Sequence, residues 1–222
     1  MRKSLLLTAL MTMLLLACSA ERTVHYRLHF DVPDASTQQQ LTLMSMRVIE
    51  RRLQSMGEQL IDKEVSTKGN TTTIGITVGS RQGAEALTSS LIKPFVMQVM
   101  LQAETATGSD VTVQGQGSFN ATGITETDFD RVEAHQEPQT DKGEVRLVLT
   151  GSGHLKMATL FRSAKGKDIA IFVRGRLVSK LHVETSELKG DVIIRNVPNP
   201  ALAQVFADDV TVGLHVIFVP VP

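Results

Sequence analysis

The residue most ready for chemistry in this sequence is a lone thiol. Cys18 is the only cysteine among 222 residues, and it closes the segment Leu15-Leu16-Ala17-Cys18. A thiol is both nucleophilic and compact. A single cysteine can form neither an intrachain disulfide nor a cysteine cluster around a metal. The six histidines, at 25, 29, 135, 154, 182 and 215, do not suggest a metal site either. His25 and His29 stand four apart on a strand pattern, about 13 Å from end to end, too far to hold one ion from the same strand. Gly151-Ser152-Gly153-His154 lacks the Gly-x-Ser-x-Gly spacing of a nucleophile elbow and reads as a strand-to-helix turn with Ser152 as its N-cap. Gly166-Lys167 lacks the upstream glycine and following Ser or Thr of a phosphate loop. The acid pairs of Asp128-Phe129-Asp130 and Asp208-Asp209 read as solvated faces and helix ends. No catalytic constellation, cofactor, metal or small-molecule substrate is therefore expected. The surface that stands out is the turn Arg174-Gly175-Arg176, which sets two cations on an otherwise apolar strand pair and is the candidate partner-binding hairpin.

The context of Cys18 gives it a role. Arg2 and Lys3 precede an almost wholly apolar run, Leu5 to Leu16, which is too short for the roughly 20 residues of a bilayer-spanning helix. A basic start, a short apolar run and small residues before a cleavage point make a secretory leader. Leu-Leu-Ala-Cys resembles the lipobox of bacterial lipoproteins. That resemblance implies a leader over residues 1–17, cleavage before Cys18, a diacylglycerol on its thiol and, as a rule, an acyl group on the freed amine. Two or more acyl chains anchor stably. Ser19 rather than Asp follows the cysteine, which in enteric-type bacteria implies the outer membrane rather than the inner one. The expected place is the bacterial cell envelope, facing the periplasm.

The rest of the chain is balanced in charge, with 23 basic and 23 acidic residues overall. No block of like charge stands out, which argues against a nucleic-acid partner and against an anionic-lipid surface. With no Trp and one Tyr, stacking platforms for bases are also excluded.

Hydropathy patterning supplies the elements. Alternation over Tyr26 to Val32 predicts a half-buried strand. Leu41, Met44, Val48, Leu53 and Met56 mark an amphipathic helix over 38–56, capped by Ser36 or Thr37 and ended by Gly57. Strands follow over 60–66 and 71–78, a helix over 83–93, and a strand over 95–101. Strand-helix-strand-strand-helix-strand is the ferredoxin-like order. Residues 102–125, rich in Thr, Gly, Ser and Gln, suit a linker or surface loops, with a short strand at 111–113. The second half predicts strands over 144–150, 168–173 (buried on both faces), 177–183, 192–194 and 214–221, with helices over 154–163 and 200–209. The fold class expected is α+β: a ferredoxin-like βαββαβ base over 22–103, then a smaller mixed α/β head subdomain over 104–222.

Several of these segments resemble a known family. Glu144-Val-Arg-Leu-Val-Leu-Thr-Gly, then Gly166-Lys167-Asp168-Ile169-Ala170-Ile171 and Gly175, are similar to the first periplasmic domain of the SecD protein-export subunit. Ala201 to Gly213 resembles that family's Ala-x-x-Leu-Ala-x-x-Leu-x-x-Gly helix. Val48-Ile49-Glu50-Arg51-Arg52-Leu53-x-x-Met56-Gly57 resembles its Ile-x-x-Arg-Val-x-x-Leu-Gly helix. The resemblance implies a base and a head that holds translocating polypeptide outside the membrane. SecD's proton-coupled membrane helices have no counterpart here, and Ser179-Lys180-Leu181 stands where the family tends to have Ala-Pro. The function expected is a non-catalytic, membrane-anchored lipoprotein that binds polypeptides or envelope proteins. The alternative is a structural accessory lipoprotein docking on a single membrane complex such as the protein translocase.

Overall fold

The structure is a computed structural model that describes residues 21–69 and 71–222. The leader over 1–17, Cys18 and Ser19 lie outside the described residues.

The fold is α+β, with twelve strands and four α-helices among the described residues. In chain order they are β1 (Arg22–Phe30), α1 (Ala35–Ser55), β2 (Leu60–Lys68), β3 (Thr71–Val78), α2 (Arg81–Leu91), β4 (Met97–Gln102), β5 (Val111–Val113), β6 (Gly117–Thr125), β7 (Phe129–Gln136), β8 (Gly143–Leu149), α3 (Gly151–Ala164), β9 (Asp168–Val173), β10 (Arg176–His182), β11 (Val192–Val197), α4 (Pro200–His215) and β12 (Val216–Val221). The chain divides into two compact units. One comprises the described residues up to His29 with Ile49–Lys93 and Ile217–Pro222; the other comprises Phe30–Val48 and Pro94–Val216.

The first unit carries a four-stranded sheet in the order β12-β1-β3-β2. Both β1 and β2 run antiparallel to β3 between them. Its apolar face follows from strict alternation: Tyr26, Leu28, Ile74, Ile76, Val78 and Phe218 are all buried. Tyr26 meets Phe218 edge to face, with ring centroids 6.2 Å apart, and its hydroxyl hydrogen-bonds Thr88 Oγ1 at 2.7 Å. The ferredoxin-like order is present, but its last strand corrects the expectation. Residues 97–102 do form a strand, yet β4 pairs with β6 and β9 in another sheet. The fourth place beside β1 is taken by β12, from the far end of the chain. The base is thus discontinuous: besides Phe30–Val48, the long segment Pro94–Val216 of the other unit enters between α2 and β12 instead of following residue 103. Apolar alternation marks a strand but says nothing about which strand it will pair with.

Two caps also differ from expectation. Asp34, not Ser36 or Thr37, caps α1: its Oδ2 accepts from the Thr37 amide and the Thr37 hydroxyl, each at 2.7 Å. Thr150, not Ser152, caps α3, with Thr150 Oγ1 accepting from the Gly153 amide at 3.0 Å. Gly57 does end α1 as expected. Its φ of 69° is left-handed, and the following amide, Glu58, returns to Leu53 O at 3.0 Å.

The second unit holds a five-stranded sheet, β10-β9-β4-β6-β5, and a three-stranded sheet, β11-β8-β7. Strand β9 is buried along both faces, as its unbroken run Ile169-Ala170-Ile171-Phe172-Val173 predicts. Ile169, Ile171 and Val173 join a large core with Met97, Val99 and Leu147. Ala170 and Phe172 face the other way, into a small cluster with Met100 and Phe119. Residues 102–125 are not a linker. They contain β6, an interior strand of the sheet, whose polar sequence Gly-Ser-Phe-Asn-Ala-Thr-Gly-Ile-Thr hides its alternation. The register with β4 slips between Val99 and Met100, opposite Gly123 at φ 76°, which is how a bulge breaks the period-2 signal.

Candidate functional site

The hairpin expected at Arg174-Gly175-Arg176 joins β9 to β10. Val173 pairs with Arg176, which leaves Arg174 and Gly175 as a two-residue loop. Their φ values of 51° and 75° are the double left-handed pattern that matches strand twist in tight hairpins. The two cations then part company. Arg174 does not project freely. Its guanidinium lies 5.4 Å from the centroid of the Phe95 ring, its Nε is 3.9 Å from Asp209 Oδ2, and its amide donates to Val96 O at 2.8 Å. Phe95 in turn covers Gly213, where an added Cβ would sit 2.2 Å from the ring. Arg174 is a clamp that fixes the turn. Arg176 is exposed and is the cation the hairpin presents.

Beside Arg176 runs a shallow groove of about 580 Å³, lined by Val113, Gln116, Leu177, Val178 and Lys180 among others. Val178 is exposed, and Lys180 Nζ donates across the groove to Gln116 O at 3.3 Å. One wall is β10, the outermost strand of its sheet, so half of its backbone donors and acceptors point outward. The other sheet's edge strand β7 is treated differently. There Val132 N donates to Thr211 Oγ1 at 3.0 Å and Thr211 Oγ1 donates to Val132 O at 3.2 Å, so a buried threonine of α4 occupies that edge. The β10 groove therefore offers an apolar floor, two cations and an open main-chain edge.

One acid of each pair departs from the solvated reading, while Asp130 is exposed and Asp209 half-buried. Asp208 is fully buried and accepts Arg47 Nε and NH2, each at 2.8 Å, and Gln204 Nε2 at 2.9 Å. Asp128 is also buried. It accepts Lys156 Nζ at 2.9 Å, the Thr125 amide at 3.0 Å and the Ser152 hydroxyl at 3.3 Å. Burial pushes the Asp128 carboxyl up, but the Lys156 hydrogen bond and charge with the Thr125 amide and Ser152 outweigh it and hold it below the usual carboxylate range. The sign follows. A lowered folded pKa stabilises above the unfolded value, near 4, and that stabilisation is lost as pH falls through the folded value. Urea midpoints measured down a pH series should fall in acid, and Asp128→Asn should flatten that fall while lowering the neutral-pH midpoint. The Thr125-x-x-Asp128 spacing of a capping box was the available sequence signal for this role.

The histidines are dispersed. His215 Nδ1 meets Asp31 at 2.7 Å, His182 Nδ1 meets Asp168 at 2.8 Å and His154 Nε2 lies 3.5 Å from Asp191. Among the described residues no three His, Cys, Asp or Glu side chains converge as metal ligands. No described helix is long and apolar enough to cross a membrane.

No family model and no curated protein matches this sequence. Solved structures do. One is described as "Structure and function of a membrane component SecDF that enhances protein export", at 17% identity over 89% of this chain and 98% of that one, with a TM-score of 0.49. A second is SecDF in a super-membrane-facing form, at 16% identity over 92% of this chain and 30% of that one, TM-score 0.50. A third is SecDF, a translocon-associated membrane protein from Thermus thermophilus, at 16% identity over 91% of this chain and 31% of that one, TM-score 0.54. The chain spans about a third of the length of the latter two. At such identities the likeness is one of fold, and it extends over nearly all of the described residues: this chain has the α+β fold of a SecD-like periplasmic domain.

Proposed function

We propose that this protein is a periplasm-facing, non-catalytic lipoprotein, held to the membrane by lipid on Cys18, that binds extended polypeptide or envelope proteins along the β10 groove. The observation that carries the reading is the SecD-like fold, whose solved counterparts are described as a translocon-associated membrane protein and as a component that enhances protein export. The groove supports it chemically. An extended chain laid along β10 can complete the outward main-chain hydrogen bonds, as in strand addition, with its side chains reaching Val178 and the cations Arg176 and Lys180.

Photo-crosslinking in cells tests this. A photoreactive residue at Val178 is expected to yield adducts of many sizes, well above those of an unrelated lipoprotein, and Arg176→Glu with Lys180→Glu should cut the yield several-fold. Adduct levels no higher than the unrelated lipoprotein's would sink the proposal. The translocon association described for one counterpart favours a second reading, an accessory subunit docking on one membrane complex. That reading predicts a single discrete adduct and stoichiometric co-purification in mild detergent.

A further inference from the structure

The point at which the chain enters its first strand constrains which end of the four-stranded sheet can face a bilayer. Cys18 and Arg22 are separated by four peptide units, at most about 14 Å of fully extended chain. Arg22 is the first residue of β1. It pairs with Val78, the last residue of β3, and Val78 pairs on its other side with Leu60, the first residue of β2. From Val78 the chain turns through Gly79 and Ser80 directly into α2 at Arg81. One end of the sheet thus collects the start of β1, the start of β2, the end of β3 and the N-terminus of α2. The opposite end, at Lys68 and Thr71, lies seven residues away along β3, about 23 Å at strand rise.

We infer that the Arg22–Val78–Arg81 end of this sheet lies against the phospholipid headgroups, with Arg22 as the side chain that meets their phosphates. The inference rests on the proposed lipidation of Cys18. A lipid-bearing Cys18 sits at the level of the headgroups, a layer only several Å deep on each side of the hydrocarbon. A tether of at most about 14 Å keeps Arg22 beside that layer, while the Lys68 end, about 23 Å away along β3, has no such tether to hold it there.

The chemistry of this end fits the same partner. Arg22 and Arg81 both line a groove of about 350 Å³ between the start of β1 and α2. Arg81 is already held by Glu85, with Nε to Oε1 at 2.8 Å. Arg22 is exposed and has no ion pair among the described residues. A guanidinium binds a phosphodiester through paired, charge-assisted hydrogen bonds. The N-terminus of α2 is not the phosphate site. The Glu58 carboxylate already occupies it, accepting from Ser80 Oγ at 2.8 Å and packing where a Gly83 side chain would stand.

Depth quenching on the lipidated full-length protein tests this. Vesicles of phosphatidylethanolamine and phosphatidylglycerol carry a headgroup-level quencher. Because the lipid occupies the thiol of Cys18, a cysteine introduced at Gln82→Cys or Lys68→Cys is the only free thiol for a fluorophore. Quenching at position 82 is expected to exceed that at position 68 several-fold. Arg22→Glu should reduce quenching at position 82 by about half, and a ten-residue Gly-Ser insert after Ala20 should erase the contrast between the two positions. Equal quenching, or stronger quenching at position 68, overturns the orientation. A contrast that survives the insert overturns the tether as its cause, and an unchanged signal for Arg22→Glu overturns the phosphate contact. Protein that fails to float with the vesicles overturns the lipid on Cys18, and the proposed orientation with it, by a readout that precedes any quenching.

Discussion

Cells expressing the protein with an ordinary cleavable leader in place of residues 1–17 and alanine at position 18 are expected to release essentially all of it as soluble periplasmic protein, where the unaltered chain sediments with membranes. The size of the effect follows from the anchor. Each buried methylene contributes about 0.8 kcal/mol to membrane affinity, and two or three acyl chains hold a protein stably where one holds it only marginally. No described helix could substitute, since none is long and apolar enough to span a bilayer. The fold should not respond. Among the described residues every core side chain lies at Tyr26 or beyond, so urea midpoints of the two forms should agree. Membrane sedimentation of the processed alanine form would overturn the anchor. A lowered midpoint would show instead that the residues around Cys18 take part in folding. Labelling with a radioactive fatty acid separates the chemical step from the location: the wild-type chain should incorporate it and the alanine form should not.

How far the sequence reveals this architecture depends on how local each signal is. The amphipathic stripe of α1, the left-handed glycine after it, the alternation in β1 and β8 and the unbroken apolar run of β9 all arise from neighbours a few residues apart, and all are legible. Strand partnership is not. Nothing in Ile217 or Phe218 announces that β12 will lie beside β1 in place of β4, because that pairing closes a chain of almost two hundred residues. Strand β7 is hidden for a second reason. Its buried residues are Phe129 and Val132, an odd spacing created by the register slip between Phe129 and Arg131, so its alternation never appears in the sequence.

The candidate site divides along the same line. The double left-handed turn at Arg174-Gly175 is local and readable. The capture of Arg174 by Phe95 and Asp209 is not, since those residues lie far from it in sequence and pack against it only in the folded unit. The burial of Asp208 is equally hidden, because its partner Arg47 stands 161 residues away. A carboxylate is assigned to solvent by default, since burying one without a partner is so costly. Only the fold can supply that partner. Arg174 at the tip is exposed but held by Phe95 and Asp209, so the cations that border the open edge of β10 are Arg176 and Lys180 on its flank.

The first turn of α3 carries the largest stability contrast, because two glycines two residues apart should respond with opposite signs. Gly153 sits against the backbone of Asp128. A Cβ there would lie 2.0 Å from Asp128 O and 3.0 Å from its carbonyl carbon. That carbonyl cannot easily retreat. It accepts the Thr150 amide at 3.0 Å, and the Asp128 side chain is clamped by Lys156, Ser152 and the Thr125 amide. A close contact with a flexible side chain can be relieved by a rotamer change; one with a doubly held backbone cannot. Gly153→Ala is therefore expected to destabilise by about 3 kcal/mol, the upper part of the usual range for overpacking, and to loosen the Asp128 clasp. Gly151 occupies the same turn with no atom within 4 Å of its would-be Cβ. There alanine meets no obstacle and gains helix propensity, worth up to about 1 kcal/mol in a helix interior and less in a first turn. Paired urea melts decide the matter. A fall in midpoint for Gly153→Ala beside an unchanged or raised midpoint for Gly151→Ala is the expected pattern. Equal, small changes at both positions would mean that α3 does not pack against Asp128 as closely as its glycine requires, and the clasp of Lys156, Ser152 and the Thr125 amide that holds the Asp128 carboxyl in its charged form would lose its structural basis.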